Sequence, residues 1–212
     1  SLTRLANQSG ATIISVNYQK APEHPFPIPF DDCYATLLWV IENARNLNID
    51  PATIGVAGDS AGANLASAVA IKARDNNIAL AFQLLIYPCN DRDFTTDSYL
   101  NCATGYGLST QAMQWFWDQY LQGDHHDDNP YAVPMKAKTF KDIAPAIIIT
   151  AQYDPLLSDS QKYRELLERD GVSVTYKEYA GMIHGFFSNL AVTPTAREAI
   201  DFAAVEIKRL TQ

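Results

Sequence analysis

The stretch around Ser60 constrains the fold of this chain more than any other. Residues 53–66 read TIGVAGDSAGANLA, an apolar run followed by Gly-x-Ser-x-Gly and a series of small residues. The apolar run is typical of a strand buried on both faces, and the small residues are typical of a helix that packs closely on a sheet. In such a strand–turn–helix the serine hydroxyl is exposed on a strained turn, and the helix N-terminus points its N–H groups toward it. We expect Gly58 and Gly62 to be needed because side chains would not fit beside this turn.

The motif alone is short enough to occur by chance, so the rest of the chain must supply a base and an acid. The 212 residues suit one domain, residues 1–212, and 47% hydrophobic residues are enough for a sizeable core. No apolar run is long enough to cross a membrane, and we expect no secretory signal. A net charge of −8 argues against nucleic acid or an anionic membrane as a partner.

The three cysteines, Cys33, Cys89 and Cys102, are odd in number and lack the spacing of metal ligands. We therefore expect free thiols in the core or the cleft and a reducing, hence cytoplasmic, location. We also expect no metal or organic cofactor. His125 and His126 stand among aspartates. A weak metal site is the alternative there to a solvated loop, which the unremarkable spacing favours.

Strand and helix patterns alternate along the chain, which predicts an α/β fold: a parallel sheet with helices on both faces and right-handed crossovers. A proline-rich connection at residues 21–29 separates the first strand from a helix that reaches about Asn46. The last helix begins near Pro194. The predicted strands are Ala11–Tyr18, the run before Ser60, Ala81–Tyr87, Ala146–Ala151 and Val172–Tyr179, the last of which should lie near an edge of the sheet and could pair with a copy of itself.

Residues 90–145 interrupt this alternation and predict an insertion that covers a site. An amphipathic helix begins near Ser109, with Met113, Phe116, Trp117, Tyr120 and Leu121 on its inward face. A polar loop follows at residues 123–130.

A serine hydroxyl needs a general base, usually histidine, and that imidazole needs an acceptor that fixes its tautomer. Asp154 follows the strand that ends near Ala151, and His184 follows the strand that ends near Tyr179. Because the carboxyl ends of parallel strands share one edge of the sheet, we expect both to lie near Ser60. Asp159 is a competing carboxylate, within a predicted capping box that starts at Ser158. The order nucleophile, acid, histidine is that of the α/β-hydrolase fold.

Several motifs together resemble the hormone-sensitive-lipase-like esterases, the bacterial family IV carboxylesterases. They are Gly58-Asp-Ser-Ala-Gly62, Tyr18-Gln-Lys-Ala-Pro-Glu-His-Pro-Phe-Pro27, Trp115-Phe-Trp-Asp-Gln-Tyr-Leu121, Asp154-Pro-Leu156 and Gly181-Met-Ile-His-Gly-Phe186. The resemblance covers essentially the whole chain. It implies that Ser60 is the nucleophile, His184 the base and Asp154 its orienting acid. It further implies that the Ala61 N–H is an oxyanion-hole donor and Asp59 a structural partner near the turn. The implied substrates are short- to medium-chain acyl esters.

The sequence departs from this family in two respects. Position 63 is alanine where relatives usually have a second glycine, a change that should leave the turn intact. The family's His-Gly-Gly-Gly segment, which supplies further oxyanion N–H groups, is absent from these residues. We therefore expect the chain to be the C-terminal portion of a longer protein, without the first strands of the fold.

Three alternatives to a carboxylesterase remain open on the sequence. The same fold could serve an amidase or peptidase. A related non-catalytic ligand-binding protein is a second alternative, although such proteins lose the catalytic histidine and His184 is present. A catalytically incomplete fragment is the third.

Overall fold

The computed structural model describes residues 1–123 and 125–212, and Asp124 of the predicted polar loop lies outside them. Among the described residues one four-stranded sheet has the order β1-β2-β3-β4, and every neighbouring pair is parallel. The predicted parallel sheet is therefore confirmed. The strands are β1 (Val56–Asp59), β2 (Gln83–Ile86), β3 (Ala146–Tyr153) and β4 (Val174–Ile183).

Helices connect these strands and flank the sheet. Short 3-10 turns lie at Pro51–Thr53, Pro134–Lys136 and Phe186–Ser188. The described helices are α1 (Leu2–Ser9), α2 (Ile28–Glu42), α3 (Ala44–Leu47), α4 (Ala61–Asp75), α5 (Asp97–Asn101), α6 (Thr110–Leu121), α7 (Leu157–Arg169) and α8 (Pro194–Thr211).

The two central strands are buried on both faces, and alternate residues enter different parts of the core. Leu84 and Ile147 pack with apolar residues of α1 and α8 on one face. Leu85 and Ile148 pack with residues of α4 and α7 on the other. Because these side chains are fully enclosed, truncating one of them to alanine typically costs about 2–5 kcal/mol of the free energy of unfolding. The sheet is thus a rigid support for the loops at its carboxyl edge.

The helix predicted to begin near Ser109 is α6, and its N-cap is Ser109, whose hydroxyl accepts a hydrogen bond from the Ala112 N–H at 3.1 Å. Trp117 is buried with α2 and α4 in a third apolar cluster. Phe116 was predicted to face inward, but it is 49% exposed. It immediately precedes Trp117, which takes the inward position at this turn of the helix.

The predicted strand at Ala11–Tyr18 is wrong, because none of these residues forms a strand in the described structure. Its β-branched residues favour extended backbone, but a strand also needs a partner for its N–H and C=O groups, and β1 pairs only with β2 here. The open side of β1 also corrects the expectation of burial on both faces. Val56 is half-buried and Ala57 is exposed.

Two boundaries near the carboxyl edge also differ from the predictions. The capping box at Ser158 does not form, because α7 already begins at Leu157 and the Ser158 hydroxyl instead accepts a hydrogen bond from the Ser98 N–H at 3.2 Å. The predicted loop at residues 180–187 is strand as far as Ile183. β4 does lie at an edge of the described sheet, as predicted.

The described residues include no helix long and apolar enough to span a membrane.

Candidate active site

Ser60 lies on the tight turn between the end of β1 and the start of α4, as the sequence predicts. Its backbone has φ 55° and ψ −119°, a conformation that residues with side chains seldom adopt. Its N–H donates to the Ile86 carbonyl at 2.9 Å, which ties the turn to the end of β2. Strain held by the surrounding sheet and helix keeps the serine hydroxyl at the carboxyl edge.

The two glycines of the motif differ in what surrounds them. A Cβ on Gly58 would lie 2.1 Å from the carbonyl oxygen of Gly62, so the strand and the helix meet too closely for any side chain there. A Cβ on Gly62 would have no heavy atom within 4 Å. The prediction that a side chain would not fit is therefore confirmed at Gly58 and wrong at Gly62. Ala63 is fully buried and the turn is intact, as expected.

His184 and Asp154 lie beside Ser60, although they are far apart in the sequence. The Nε2 atom of His184 is 2.9 Å from the Oγ atom of Ser60. Its Nδ1 atom is 2.7 Å from the Oδ2 atom of Asp154. With the Nδ1 proton donated to Asp154, the Nε2 atom is free to accept the serine proton.

Asp154 is fixed by its own loop. The carboxylate is 0% exposed, and its second oxygen accepts a hydrogen bond from the Leu156 N–H at 2.9 Å. Both oxygens therefore have a partner, and the carboxylate is held in one orientation toward His184. Asp159, the competing carboxylate, is equally buried but lies within the first turn of α7. Burial and the nearby Asp91 raise the pKa of Asp159 well above its ordinary value.

Tyr87 is a neighbour of His184 that the sequence analysis did not single out. It follows β2, it is 1% exposed, and its ring centroid is 4.5 Å from that of the imidazole. Its φ of 39° is unusual for a residue with a bulky side chain. It could have been identified from its position at the carboxyl end of a buried strand, just before Pro88. Asp154 was identified from the same kind of position.

The start of α4 supplies N–H groups next to Ser60. Ala61 is the first residue of the helix, and the first N–H groups of any α-helix have no acceptor within it. The Ser60 carbonyl accepts from the N–H groups of Ala63 and Asn64 at 2.9 and 3.1 Å. Asp59, expected to be a structural partner beside the turn, is exposed at the end of β1.

Buried amides join residues 90–145 to the helix after the serine, a feature the sequence analysis missed. The side-chain amide of Asn64 donates to the carbonyls of Cys89 and Ala132 at 2.8 and 3.2 Å. Asn90 donates to the Ser67 hydroxyl at 3.0 Å. The available signal was the spacing of Asn64 and Ser67, which lie one turn apart in the otherwise apolar first part of α4, residues 61–71. The Cys89 thiol beside them is buried, and burial raises its pKa to about 12, so it stays protonated near neutral pH.

The described residues contain no group of three or more His, Cys, Asp or Glu side chains that could hold a metal ion. His125 is exposed, and the ring of His126 is 4.9 Å from that of Phe26. The three cysteines are free, with Cys89 and Cys102 buried.

Residues 1–188 match the model of a protein family described as having the alpha/beta hydrolase fold. The chain is 38% identical over 203 residues to carboxylesterase NlhH of Mycobacterium tuberculosis, an alignment that covers 94% of this chain and 64% of NlhH. It is 36% identical over 201 residues to esterase LipI of the same organism, covering 93% of this chain and 62% of LipI. The chain thus spans slightly less than two thirds of the length of these curated relatives.

A solved structure has the same fold along the whole chain. EstE1, a thermophilic carboxylesterase cloned from a metagenomic library, superposes with a TM-score of 0.95 at 36% identity. The superposition covers 100% of this chain and 73% of that structure.

Proposed function

Because this chain belongs to the α/β-hydrolase fold family, among its hormone-sensitive-lipase-like carboxylesterases, we propose that it hydrolyses carboxylic esters with Ser60 as the nucleophile. The observation that carries the proposal is the continuous hydrogen-bonded chain from Ser60 through His184 to Asp154, at 2.9 and 2.7 Å. A serine within hydrogen-bond reach of an imidazole that a carboxylate orients is the arrangement that nucleophilic acyl transfer needs.

The reaction proceeds in two halves. Ser60 Oγ attacks the ester carbonyl carbon while His184 Nε2 takes the hydroxyl proton, which gives a tetrahedral oxyanion. The oxyanion collapses, the bond to the alcohol oxygen breaks, and His184 returns the proton to the departing alcohol. Water then attacks the acyl-enzyme with His184 again as base, which releases the carboxylic acid and restores Ser60. Asp154 stabilises the imidazolium in both halves without taking its proton.

The oxyanion needs hydrogen-bond donors that are already in place. We infer that the Ala61 N–H is one of them, since it opens the helix that follows Ser60 and the helix dipole adds positive potential there. Removal of one such donor typically costs about 2.7–4 kcal/mol of transition-state stabilisation. No metal or organic cofactor takes part in these steps.

Rates on an ester and on its matching amide test the proposed function. We expect hydrolysis of short acyl esters such as ethyl acetate, and a far slower reaction with the corresponding amide, whose leaving group is poorer. His184→Ala should lower kcat on the ester by about 10⁴-fold or more, because the serine loses its base. An amide rate equal to the ester rate would favour the amidase reading, and unchanged turnover in His184→Ala would refute the mechanism.

We also infer a cytoplasmic location and a homodimer formed through β4. The three free thiols suit a reducing compartment. The backbone groups along the outer side of β4, at the edge of the described sheet, are available to a second copy. The mass in solution by light scattering tests the dimer, and the mass of a single chain at working concentration contradicts it.

A further inference from the structure

An apolar surface is formed by side chains on the two segments that carry Asp154 and His184, and it takes no part in the steps above. It consists of Tyr106, Tyr153 and Ile183, here called the aromatic platform. Tyr153 immediately precedes Asp154, and Ile183 immediately precedes His184. Since consecutive Cα atoms lie about 3.8 Å apart, the backbone of the platform is directly joined to that of two of the three residues of the proposed triad.

The sheet itself brings Tyr153 and Ile183 together. The two residues are partners in the pairing of β3 with β4, just beyond a register irregularity that follows Ala151. Irregularities of this kind re-aim side chains at the ends of strands and are common near active sites. The Gln152 side chain accepts a hydrogen bond from the Gly181 N–H at 2.8 Å, which joins the ends of β3 and β4 beside this pair.

Tyr106 reaches the platform from the loop between α5 and α6. Gly105 and Gly107 on either side of it have φ of 88° and 87°, values that glycine adopts readily and other residues rarely. The ring of Tyr106 lies parallel to that of Tyr153, with centroids 5.1 Å apart and an interplanar angle of 5°. A Cβ on Gly107 would lie 3.7 Å from the Cδ1 atom of Ile183, so this loop closely approaches the third member of the platform.

The platform is open to solvent although it is made of large apolar groups. Tyr153 is 39% exposed and Ile183 is 41% exposed. Binding sites for small molecules are typically lined by aromatic and aliphatic side chains with a few polar groups that orient the ligand. The proposed triad supplies the polar groups, and the platform supplies the apolar lining. Together they have the composition of a binding site for a small molecule.

We propose that the aromatic platform binds the alcohol part of the ester and favours alcohols that carry a flat aromatic ring. The inference rests on the proposed function. The alcohol oxygen must approach His184 Nε2 to receive its proton, so the substituent on that oxygen extends past His184 toward the loops that hold it. The acyl carbon, by contrast, lies over Ser60 and the start of α4.

Two acetate esters of similar leaving-group basicity test the preference: benzyl acetate, which has a flat ring, and cyclohexylmethyl acetate, which has a puckered one. We expect kcat/KM for benzyl acetate to exceed that for cyclohexylmethyl acetate by about fivefold, the size of one aromatic contact. In Tyr153→Leu and Tyr106→Ala this ratio should fall toward one.

A matched control is Tyr34→Ala, because Tyr34 is also a stacked, half-buried tyrosine, packed on Phe30 within α2. It should leave the ratio unchanged. A wild-type ratio near one, or a ratio that the platform variants do not move, overturns the proposal. So does a loss in those variants that appears with ethyl phenylacetate instead, since that ester has its ring on the acyl side.

Failure of the proposed function is distinguishable from failure of the platform. If no ester is hydrolysed, a titration with benzyl alcohol followed by NMR still reports on Tyr153 and Ile183. Binding that weakens by about fivefold in Tyr153→Leu supports the platform without catalysis. The absence of any shift at these two residues overturns it.

Discussion

Tyr87 places an aromatic ring against the imidazole of His184, and its backbone is held at φ 39°. In the proposed mechanism His184 accepts a proton from one atom and returns it to another, which requires a fixed orientation of its ring. The contact with Tyr87 supplies an apolar wall for that orientation, while Asp154 supplies the hydrogen bond.

Two replacements of Tyr87 should distinguish the effect of its ring on kcat from the effect of its hydroxyl. Tyr87→Phe keeps the ring and should stay within about twofold of wild-type kcat, whereas Tyr87→Ala should lower kcat by about tenfold to a hundredfold with little change in KM, because misplaced catalytic groups are costly. Steady-state kinetics on ethyl acetate measure both. A thermal melt identifies variants that fail to fold, and a folded Tyr87→Ala with normal kcat would contradict this role.

Asp159 predicts a pH dependence of stability. Its folded pKa is raised by burial and by Asp91, against the opposing effect of Lys162, and Asp154 raises it further. In the unfolded chain the same carboxyl titrates near its ordinary pKa of about 3.9. Its contribution to stability is therefore fully present below that value and is lost as the pH rises through the folded pKa.

The variant Asp159→Asn cannot titrate at this position. Its Tm relative to the wild type should therefore increase as the pH is raised from about 4 to about 8. Thermal melts across this range measure the difference, with Asp128→Asn, an exposed site, as the control. A difference in Tm that is constant with pH would mean that Asp159 does not retain its proton on folding.

At the scale of elements, the strand–turn–helix around Ser60 is the part that the sequence predicted best. Its local requirements are encoded within a few residues: an apolar strand, a turn that tolerates Ser60 at φ 55°, and a helix of alanines. The order of the elements also placed Asp154 and His184 at the same edge, because each follows a parallel strand. Their roles stay predictions that kinetics must test.

The elements that were predicted wrongly depend on distant partners. Ala11–Tyr18 has the composition of a strand but pairs with no strand in the described residues. Ser158 has the sequence of a cap, yet its hydroxyl and that of Ser98 each accept the other residue's N–H, at 3.2 and 3.0 Å. Such tertiary contacts override the local propensity for a strand or a helix cap, and they cannot be predicted from any single segment of the sequence.

Paired glycine substitutions test the packing of this turn. Gly58→Ala must push β1 away from α4, since its Cβ would lie 2.1 Å from the Gly62 carbonyl oxygen, whereas Gly62→Ala meets open space. We expect Gly58→Ala to lower stability by about 1–3 kcal/mol, in the range of overpacked sites, and Gly62→Ala to change it by less than about 0.5 kcal/mol. Denaturant unfolding measures both. Equal losses would contradict the close contact seen only at Gly58.

At the scale of the whole molecule, three layers bring the site together. Helices α1 and α8 cover one face of the sheet, and α4 and α7 cover the other. The loops at the carboxyl edge then carry Ser60, Tyr87, Asp154 and His184, one from the end of each strand. The sequence predicted that these residues share one edge of the sheet, because strands that alternate with helices run parallel and their carboxyl ends lie on the same side. It could not predict the aromatic platform, which depends on how the loop at Tyr106 folds back onto β3.

The central claim is that Ser60 is a nucleophile activated by His184, and covalent labelling with a fluorophosphonate tests it most directly. The reagent bonds to an activated serine, and the intact mass of the protein counts the adducts. We predict one phosphonyl group on the wild type, none on Ser60→Ala, and far slower labelling of His184→Ala. A wild type that stays unlabelled, or an adduct that persists in Ser60→Ala, would contradict the account.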